Sequence, residues 1–404
     1  MQTLKLMKKY EKYPEYKDSG VEWLGKIPAN WEAQKIVSVF NFSNQKVTEA
    51  THEPLSVTYD GIKRQIENAA KVAEGSLRKL VKVGDIAING RSDRKGAVGM
   101  SEYEGGVSLV YNVLRKREQL SDSKYFHYLF RSKLFSEEFY RWGRGIVDDL
   151  WTTRESEMKR ICITVPKSEE QTKIAKYLDE KTSSVEKIIE NKQKLIELLK
   201  EKRSETINDA VTKVTGRTEK LKYIAPERKI KLDTAPVNLR YIGLENLESL
   251  TGRIVDSKEK SEPESSVNIF YKDDVLFGKL RPYLAKVLAT DFDGVCSGEF
   301  LTLVPKKAKI ISRYLFYKLL SKDFIKAIND STYGTKMPRA NWQFIGNQVV
   351  AYPSLDEQIK IVKLLDNKME IFEKSILDIN KSIEFLQEFK SSLISNVVTG
   401  KIKI

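Results

Sequence analysis

Residue types and motifs that define many catalytic proteins are scarce in this chain of 404 residues. It has two histidines, His52 and His127, and two cysteines, Cys162 and Cys296, all far apart in the sequence. Their spacing matches no metal-binding motif or disulfide framework and gives no support to a Ser–His triad. We expect both thiols to be buried and free in a reducing cytoplasm, and His127 to be a packed histidine on an apolar helix.

Phosphate-binding and methyl-transfer motifs are missing too. The chain has no Gly-x-x-x-x-Gly-Lys-Ser/Thr loop, so ATP hydrolysis is not expected. It has neither the Asn/Asp-Pro-Pro-Tyr/Phe tetrapeptide of adenine methyltransferases nor a glycine-rich turn for a dinucleotide or S-adenosylmethionine. The acidic segment Leu178–Lys181 falls within a predicted helix, where we do not expect a nuclease centre. The sequence therefore predicts no catalytic residue, metal site or bound cofactor in this chain.

Long apolar runs are also absent. No stretch reaches the roughly 18 apolar residues that indicate a membrane-spanning helix. The segment MQTLKLMKKYEKYPEYKD at the start lacks the apolar core of a secretory signal. We expect a soluble, cytoplasmic protein, long enough to contain two or more domains.

One long segment of the chain occurs twice. Residues 166–213 and 353–400 align without a gap at a distance of 187 positions, and 21 of their 48 residues are identical. A repeat of this length, spaced by about half the chain, indicates a tandem duplication.

Each copy is predicted to form one long helix, because neither proline nor glycine interrupts residues 167–215 or 354–399. Ser168-x-x-Gln171 and Ser354-x-x-Glu357 resemble capping boxes. Apolar residues then follow steps of three and four, which indicates a heptad seam. The predicted packing positions are Ile174, Leu178, Ile189, Ile196, Leu199, Ile361, Leu365, Ile376, Ile383 and Leu386.

Two arrangements of these helices are open: each could pack only on its own domain, or the two could pack on each other. Ordinary helices average about 11–12 residues, and periodicity beyond about 25 residues is typical of coiled coils. We favour the second arrangement, in which the helices must run antiparallel and relate the two halves of the chain by an approximate two-fold axis.

The rest of the chain forms two similar modules with mixed strand and helix patterns. The first has strand-like runs at Leu55–Tyr59, Asp85–Asn89 and Val107–Leu114, followed by a predicted helix Ser123–Arg141. The predicted fold class is α+β: two homologous mixed α/β domains joined by two long helices in an antiparallel coiled coil. The predicted segments are an N-terminal arm (1–30), a first module (31–165), a central helix (166–216), a second module (217–352) and a C-terminal helix (353–404).

Positive charge is concentrated in the modules. The net charge is +14, yet the two predicted helices together carry 17 basic and 18 acidic residues, which leaves +15 for the other segments. A surplus of this kind attracts a polyanion, most commonly nucleic acid. Basic proteins that bind no DNA are the alternative.

Basic loops recur at matching places in the two modules. Arginine can form paired hydrogen bonds with guanine, and lysine or arginine can bind phosphates without recognising sequence. For any single residue, a solvated surface charge is the alternative. The candidate DNA-binding residues are Arg91, Ser92, Arg94, Lys95, Arg141 and Arg144 in the first module and Lys279, Arg281, Tyr283, Lys336 and Arg339 in the second.

With these features the chain resembles the specificity subunit of a Type I DNA restriction–modification system. The resemblance is carried by YPEYKDSGVEWLGKIPANWE, by GLENLE at 243–248, by DVLFGKLRPY at 274–283, by the repeated P-x-x-x-E-Q-x-K-I and by the final LISNVVTGKIKI. The first module departs from the pattern, since it has no clear GLENLE and has NGRSDRK in place of KLRPY.

The resemblance implies a non-catalytic subunit that recognises a split, asymmetric site on double-stranded DNA through two target-recognition domains. It implies that the helices hold two modification subunits, which methylate adenine with S-adenosylmethionine. Restriction subunits, which use ATP and Mg²⁺, would complete the complex, and no membrane is involved. Two other hypotheses are a coiled-coil scaffold that bridges protein partners and a stand-alone nuclease or methyltransferase, against which the missing motifs argue.

Overall fold

A computed structural model describes residues 10–59, 61–65, 77–91, 95–117, 123–146, 151–233, 236, 238–255, 266–332, 334 and 336–404. The chain divides into two compact units, one made of residues 1–191 and 382–404 and the other of residues 192–381. Both divisions fall inside long helices, whereas the domain boundaries predicted from the sequence fall at helix ends and stay predictions. In the described ranges, no helix is long and apolar enough to cross a membrane.

The first unit combines short antiparallel strands with helices. The helices are α1 (Ile36–Val39), α2 (Ser123–Arg131), α3 (Lys133–Arg141) and α4 (Glu155–Met158). The strands are β1 Tyr16–Asp18, β2 Lys26–Pro28, β3 Glu32–Lys35, β4 Phe40–Phe42, β5 Lys46–Val47, β6 Leu55–Thr58, β7 Gly61–Arg64, β8 Arg78–Val81, β9 Ile86–Asn89, β10 Val98–Met100, β11 Gly105–Val107, β12 Tyr111–Lys116 and β13 Cys162–Val165. Strands β10-β9-β12-β4 form one sheet, β11-β8-β5 a second, and the pairs β1–β2, β3–β13 and β6–β7 complete the set of described strands.

The second unit has the same plan. The helices are α6 (Leu221–Ile224), α7 (Ser312–Leu320), α8 (Lys322–Asp330) and α9 (Trp342–Asn347). The strands are β14 Arg217–Lys220, β15 Lys231–Leu232, β16 Arg240–Ile242, β17 Val267–Phe270, β18 Val275–Gly278, β19 Val287–Ala289, β20 Gly294–Ser297, β21 Phe300–Leu303 and β22 Val349–Tyr352. Strands β15-β17-β20-β16 form one sheet and β19-β18-β21 another, while β14 pairs with β22 as β3 pairs with β13.

Two long helices contribute to both units: α5 (Ser168–Thr212) and α10 (Leu355–Val398). In the first unit Thr164, just before α5, donates its hydroxyl to the Val398 carbonyl at 2.8 Å, and further along α5 Glu186 pairs with Lys390 at 3.0 Å. The partner residue number falls as the α5 number rises, so the helices run antiparallel there.

The second unit contains the opposite ends of the same helices. Its core joins Ile207 and Val211 of α5 to Leu365 and Met369 of α10. The long helices therefore pack together within each unit, and the predicted fold class, two mixed α/β domains joined by two helices in a coiled coil, is confirmed.

The predicted seam positions differ in how deeply they are buried. Five of them are buried: Ile174, Leu178, Ile196, Leu365 and Ile383. The remaining positions are half-buried: Ile189, Leu199, Ile361, Ile376 and Leu386.

Sequence patterns misplaced some element boundaries. The predicted helix Ser123–Arg141 is two helices, because Ser132 adopts extended backbone angles and its side chain accepts a hydrogen bond from the Phe135 N–H. The predicted strand Val107–Leu114 is two strands joined by a turn, in which the Tyr111 N–H donates to the Ser108 carbonyl at 3.1 Å.

The predicted helix starts also need correction in part. Helix α5 begins at Ser168 itself, and the Lys167 carbonyl accepts from the Glu170 N–H at 2.9 Å. In the second copy Ser354 does precede the helix and accepts from the Glu357 N–H at 3.4 Å. Of the two thiols expected to be buried, Cys296 is buried and Cys162 is only partly so.

Candidate nucleic-acid interface

In the first unit, both candidate basic loops meet at Thr152. Arg91, two residues after β9 ends, forms an isolated β-bridge with Thr152, and Arg144 forms another. The Arg144 and Thr152 backbones exchange two hydrogen bonds of 3.0 Å. Two loops that are about fifty residues apart in the sequence thus form one surface.

Aromatic side chains below this surface hold it in place. The Tyr140 hydroxyl donates to the Arg91 carbonyl at 2.7 Å, and the Trp151 indole N–H donates to the Tyr140 carbonyl at 2.8 Å. A Cβ on Gly143 would lie 2.2 Å from the Trp151 Nε1 atom, so the loop can pass the indole only with glycine at this position. These contacts fix the backbone from which the exposed basic side chains extend.

The candidate residues of the first unit differ in their surroundings. Arg91, Lys95 and Arg144 are exposed, and the Lys95 ammonium lies 5.5 Å from the centre of the Tyr140 ring. Arg144 also has a long contact of 3.8 Å with Glu157. Ser92 and Arg94 lie outside the described residues.

Arg141 is held by protein carboxylates. Its guanidinium contacts Glu138 at 2.8 Å and Glu22 at 2.9 Å, and the hydrogen bond with Glu138 raises its pKa above the ordinary value. An arginine with two carboxylate partners can bind a phosphate or base only by giving one of them up. Arg91 and Lys95 are therefore better placed than Arg141 for binding DNA.

The second unit brings its two candidate loops together in the same way. Leu280 and Arg339 form an isolated β-bridge, the Arg281 N–H donates to the Pro338 carbonyl at 2.8 Å, and the Ala340 N–H donates to the Lys279 carbonyl at 3.0 Å. Leu280 follows β18 at the distance at which Arg91 follows β9. The two units thus use equivalent backbone positions.

The side chains at this second surface are different. Arg339 makes two hydrogen bonds with Glu299, of 2.7 and 3.2 Å. Arg281 and Ala285 have positive φ angles, 48° and 45°, which non-glycine residues seldom adopt. They flank the turn Pro282–Leu284, where Tyr283 is half exposed. Such strain is found most often at functional sites.

Lys279, Lys336 and Arg281 contribute further positive charge to the second surface. Lys336 is exposed, whereas Lys279 and Arg281 are half-buried. The Lys279 N–H donates to the Glu299 carbonyl at 2.8 Å, which ties the loop after β18 to the turn before β21. Glu299 was not predicted as part of the site, and neither were Tyr140, Trp151 and Thr152 of the first unit.

Each module is fixed to its long helix by a tyrosine–aspartate hydrogen bond. The Tyr128 hydroxyl donates to Asp179 at 2.6 Å, and the Tyr317 hydroxyl donates to the equivalent Asp366. Burial, followed by the hydrogen bond to the carboxylate, raises the pKa of both tyrosines above the ordinary value. A basic residue contacts the same aspartate in each unit: Lys124 at 3.3 Å and Arg313 at 2.9 Å.

Comparisons with known proteins agree with this geometry. Residues 211–384 match the family model described as the Type I restriction modification DNA specificity domain. The chain is 22% identical over 347 residues to the EcoDI specificity subunit of Escherichia coli, which covers 76% of each chain. It is 23% identical to the MjaIX specificity subunit of Methanocaldococcus jannaschii, over 98% of this chain and 99% of that one. The chain is a homologue of Type I specificity subunits.

Solved structures show that the fold is that of specificity subunits as well. A chain from work on complex assembly and conformational transition of the type I R-M system has a TM-score of 0.70 at 12% identity, covering 92% of this chain and 98% of that chain. The HsdS subunit from Thermoanaerobacter tengcongensis has a TM-score of 0.52 at 14% identity, covering 93% and 98%. The resemblance to Type I specificity subunits predicted from the sequence is confirmed.

In the part of the chain that the structure describes, no group of three or more His, Cys, Asp or Glu side chains is arranged to hold a metal ion. His127 accepts a hydrogen bond from the Met100 N–H at 3.1 Å, and burial lowers its pKa to about 4, so the ring is neutral at pH 7.

Proposed function

We propose that this chain is the DNA-reading subunit of a Type I restriction–modification complex. Each unit would recognise one part of a split, asymmetric DNA site. The observation that carries the proposal is a pair of equivalent backbone bridges, Arg91 with Thr152 and Leu280 with Arg339, at which the loops of the two units join and present different side chains. Two units with the same backbone arrangement and different exposed side chains can recognise different base sequences.

The chain would be non-catalytic and would act by placing partner subunits on DNA. Two modification subunits would dock on the long helices and methylate adenine with S-adenosylmethionine. Several apolar side chains on these helices support a docking role, since each is at least a third exposed: Ile188, Leu195, Leu198, Ile359, Leu364, Ile371, Leu377 and Phe385. Apolar side chains exposed in such numbers along a helix surface are typical of interfaces.

Restriction subunits that use ATP and Mg²⁺ would complete the complex, which would act in the cytoplasm as a defence against foreign DNA. A coiled-coil scaffold between protein partners is the competing hypothesis. The match of residues 211–384 to a DNA specificity domain and the basic surplus outside the helices favour the DNA-reading function.

Mapping of methylated adenines would test this function directly. Cells would express the chain with its modification subunits, and modified positions would be located across the genome. We expect methylation at a single split sequence in these cells, and no methylation at that sequence in cells that lack the chain. Methylation at the same sites without the chain, or scattered methylation with it, would contradict the proposal. The purified chain alone should neither methylate nor cleave DNA.

A further inference from the structure

An apolar turn lies beside the basic loop of the first unit. Leu109 and Val110 occupy the two central positions of the turn between β11 and β12, and they are 43% and 39% exposed. Glycine, asparagine, aspartate and other polar residues are the usual choice at such positions. Two adjacent exposed aliphatic side chains have no explanation in the packing of the turn itself.

The register of the sheet places this turn next to Arg91. Tyr111 of β12 pairs with Asn89 of β9, so the residues before Tyr111 lie alongside those after Asn89. A Cβ on Gly90 would lie 3.2 Å from the Val110 carbonyl oxygen and 2.9 Å from that of Thr153. The apolar turn and the loops that join at Thr152 therefore form one continuous edge of the unit.

A third aliphatic side chain extends the edge on the other side. Ile146 follows Arg144 by two residues and is 97% exposed. The edge thus combines exposed aliphatic side chains with the exposed guanidinium groups of Arg91 and Arg144. The positive charge matches the phosphates of DNA, and aliphatic groups between them match the thymine C5-methyl group, the one apolar group that a base pair presents in the major groove.

The second unit has no such turn. Its equivalent turn between β20 and β21 has Gly298 and Glu299 at the central positions, and Glu299 pairs with Arg339. A surface that binds two copies of one partner protein on the two halves of a duplicated chain should recur in both halves. The aliphatic turn differs between the halves, which favours a ligand that also differs, namely the two parts of the DNA site.

We propose that Leu109, Val110 and Ile146 contact thymine methyl groups in the major groove and make the first unit sensitive to them. This inference rests on the proposed function. Removal of one contacted methyl group should weaken binding about fourfold, as expected from the roughly 0.8 kcal/mol gained when one such carbon group is buried. The second unit should show no comparable dependence at the turn Gly298–Glu299.

The test uses the complex of this chain with its modification subunits and a DNA duplex that contains the mapped site. Each thymine of the part read by the first unit is replaced in turn by deoxyuridine, which lacks only the methyl group, and affinity is measured by fluorescence anisotropy. We expect at least one replacement to weaken binding about fourfold. The effect should vanish in L109A/V110A or in I146A, since the contacting side chain is gone.

Val83→Ala supplies the matched control. Val83 is 68% exposed in the same unit, but it precedes β9 and thus lies at the opposite end of that strand. The V83A complex should keep the full deoxyuridine effect. Specific binding by the wild type that tolerates every deoxyuridine would overturn this inference and leave the proposed function intact, whereas absence of specific binding would overturn both.

A partner protein on this turn is the remaining outcome to distinguish. If L109A/V110A lost its modification subunits in size-exclusion chromatography, the turn would be a protein interface and the inference would be wrong. Retention of the subunits, together with loss of the methyl effect, is the expected result.

Discussion

Tyr128 with Asp179 in the first unit and Tyr317 with Asp366 in the second form the same hydrogen bond between a module and a long helix. The surfaces beside the loops after β9 and β18 differ instead. The first unit has Val110 and Thr152 at positions where the second unit has Glu299 and Arg339. The contacts with the helices belong to the fold that both units share. Exposed loop residues, by contrast, contribute little to stability and can change. Specificity can therefore diverge without loss of the fold.

A second pair of equivalent positions shows the limit of this symmetry. Glu186 pairs with Lys390 in the first unit, and the equivalent residues of the second unit are Glu373 and Arg203. Arg203 is buried, and burial lowers its pKa while Glu248 and Glu373 oppose the shift. Glu373 also pairs with Arg253 at 2.6 Å. The second unit thus links the segment that follows GLENL to its helices through charged side chains.

The largest effect should come from replacing one module. Exchange of residues 31–165 for the module of another specificity subunit should change one part of the methylated sequence completely and leave the other part unchanged, since the loops of each unit are separate. Mapping of methylated adenines in cells measures the outcome. A change in both parts would show that the modules do not read independently.

Truncation of the buried Arg203 should destabilise the chain more than truncation of its half-buried equivalent, Lys390. Arg203→Ala removes a buried side chain beside two carboxylates, and we expect a loss of about 2 kcal/mol. Lys390→Ala breaks a surface ion pair with Glu186 and should cost about 0–1 kcal/mol. Urea unfolding of the two variants measures the difference. Equal losses would mean that burial of Arg203 has no energetic consequence.

Removal of the anchoring hydroxyls should have similar effects in both units. Tyr128→Phe and Tyr317→Phe each delete one hydrogen bond to an aspartate, for which we expect a loss of about 1–2 kcal/mol in unfolding free energy. Thermal unfolding, followed by circular dichroism, checks this. If one variant were neutral and the other strongly destabilised, the two modules would not be attached to their long helices in the same way.

A smaller effect is expected on the salt dependence of DNA binding. Arg91→Ala should reduce the slope of log K against log salt concentration by about 0.9, because one positive charge that displaces counterions from the DNA is lost. Arg141→Ala is the matched control, because Glu138 and Glu22 already bind that guanidinium. Binding assays at several salt concentrations compare them. Equal slopes for the two variants would argue against a contact between Arg91 and DNA.

The duplication, the long helices and the fold class could be predicted from the sequence because periodicity and repeated segments are local patterns. The end of α2 at Ser132 could not, since the apolar pattern continues across it and only the side-chain cap reveals the break. The Arg339–Glu299 pair also escaped prediction. It joins residues 40 positions apart, and it depends on the register of β18 with β21, which no local pattern determines.

The most direct test compares arginine-to-alanine changes at the two edges. Methylated adenines would be mapped in cells that express the complete complex with R91A/R144A or with R281A/R339A. The first pair should relax or abolish recognition in one part of the site only, and the second pair in the other part only, at about 1–3 kcal/mol for each lost base contact. If either pair altered both parts equally, or if neither altered any base, the two equivalent edges would not be the surfaces that read DNA.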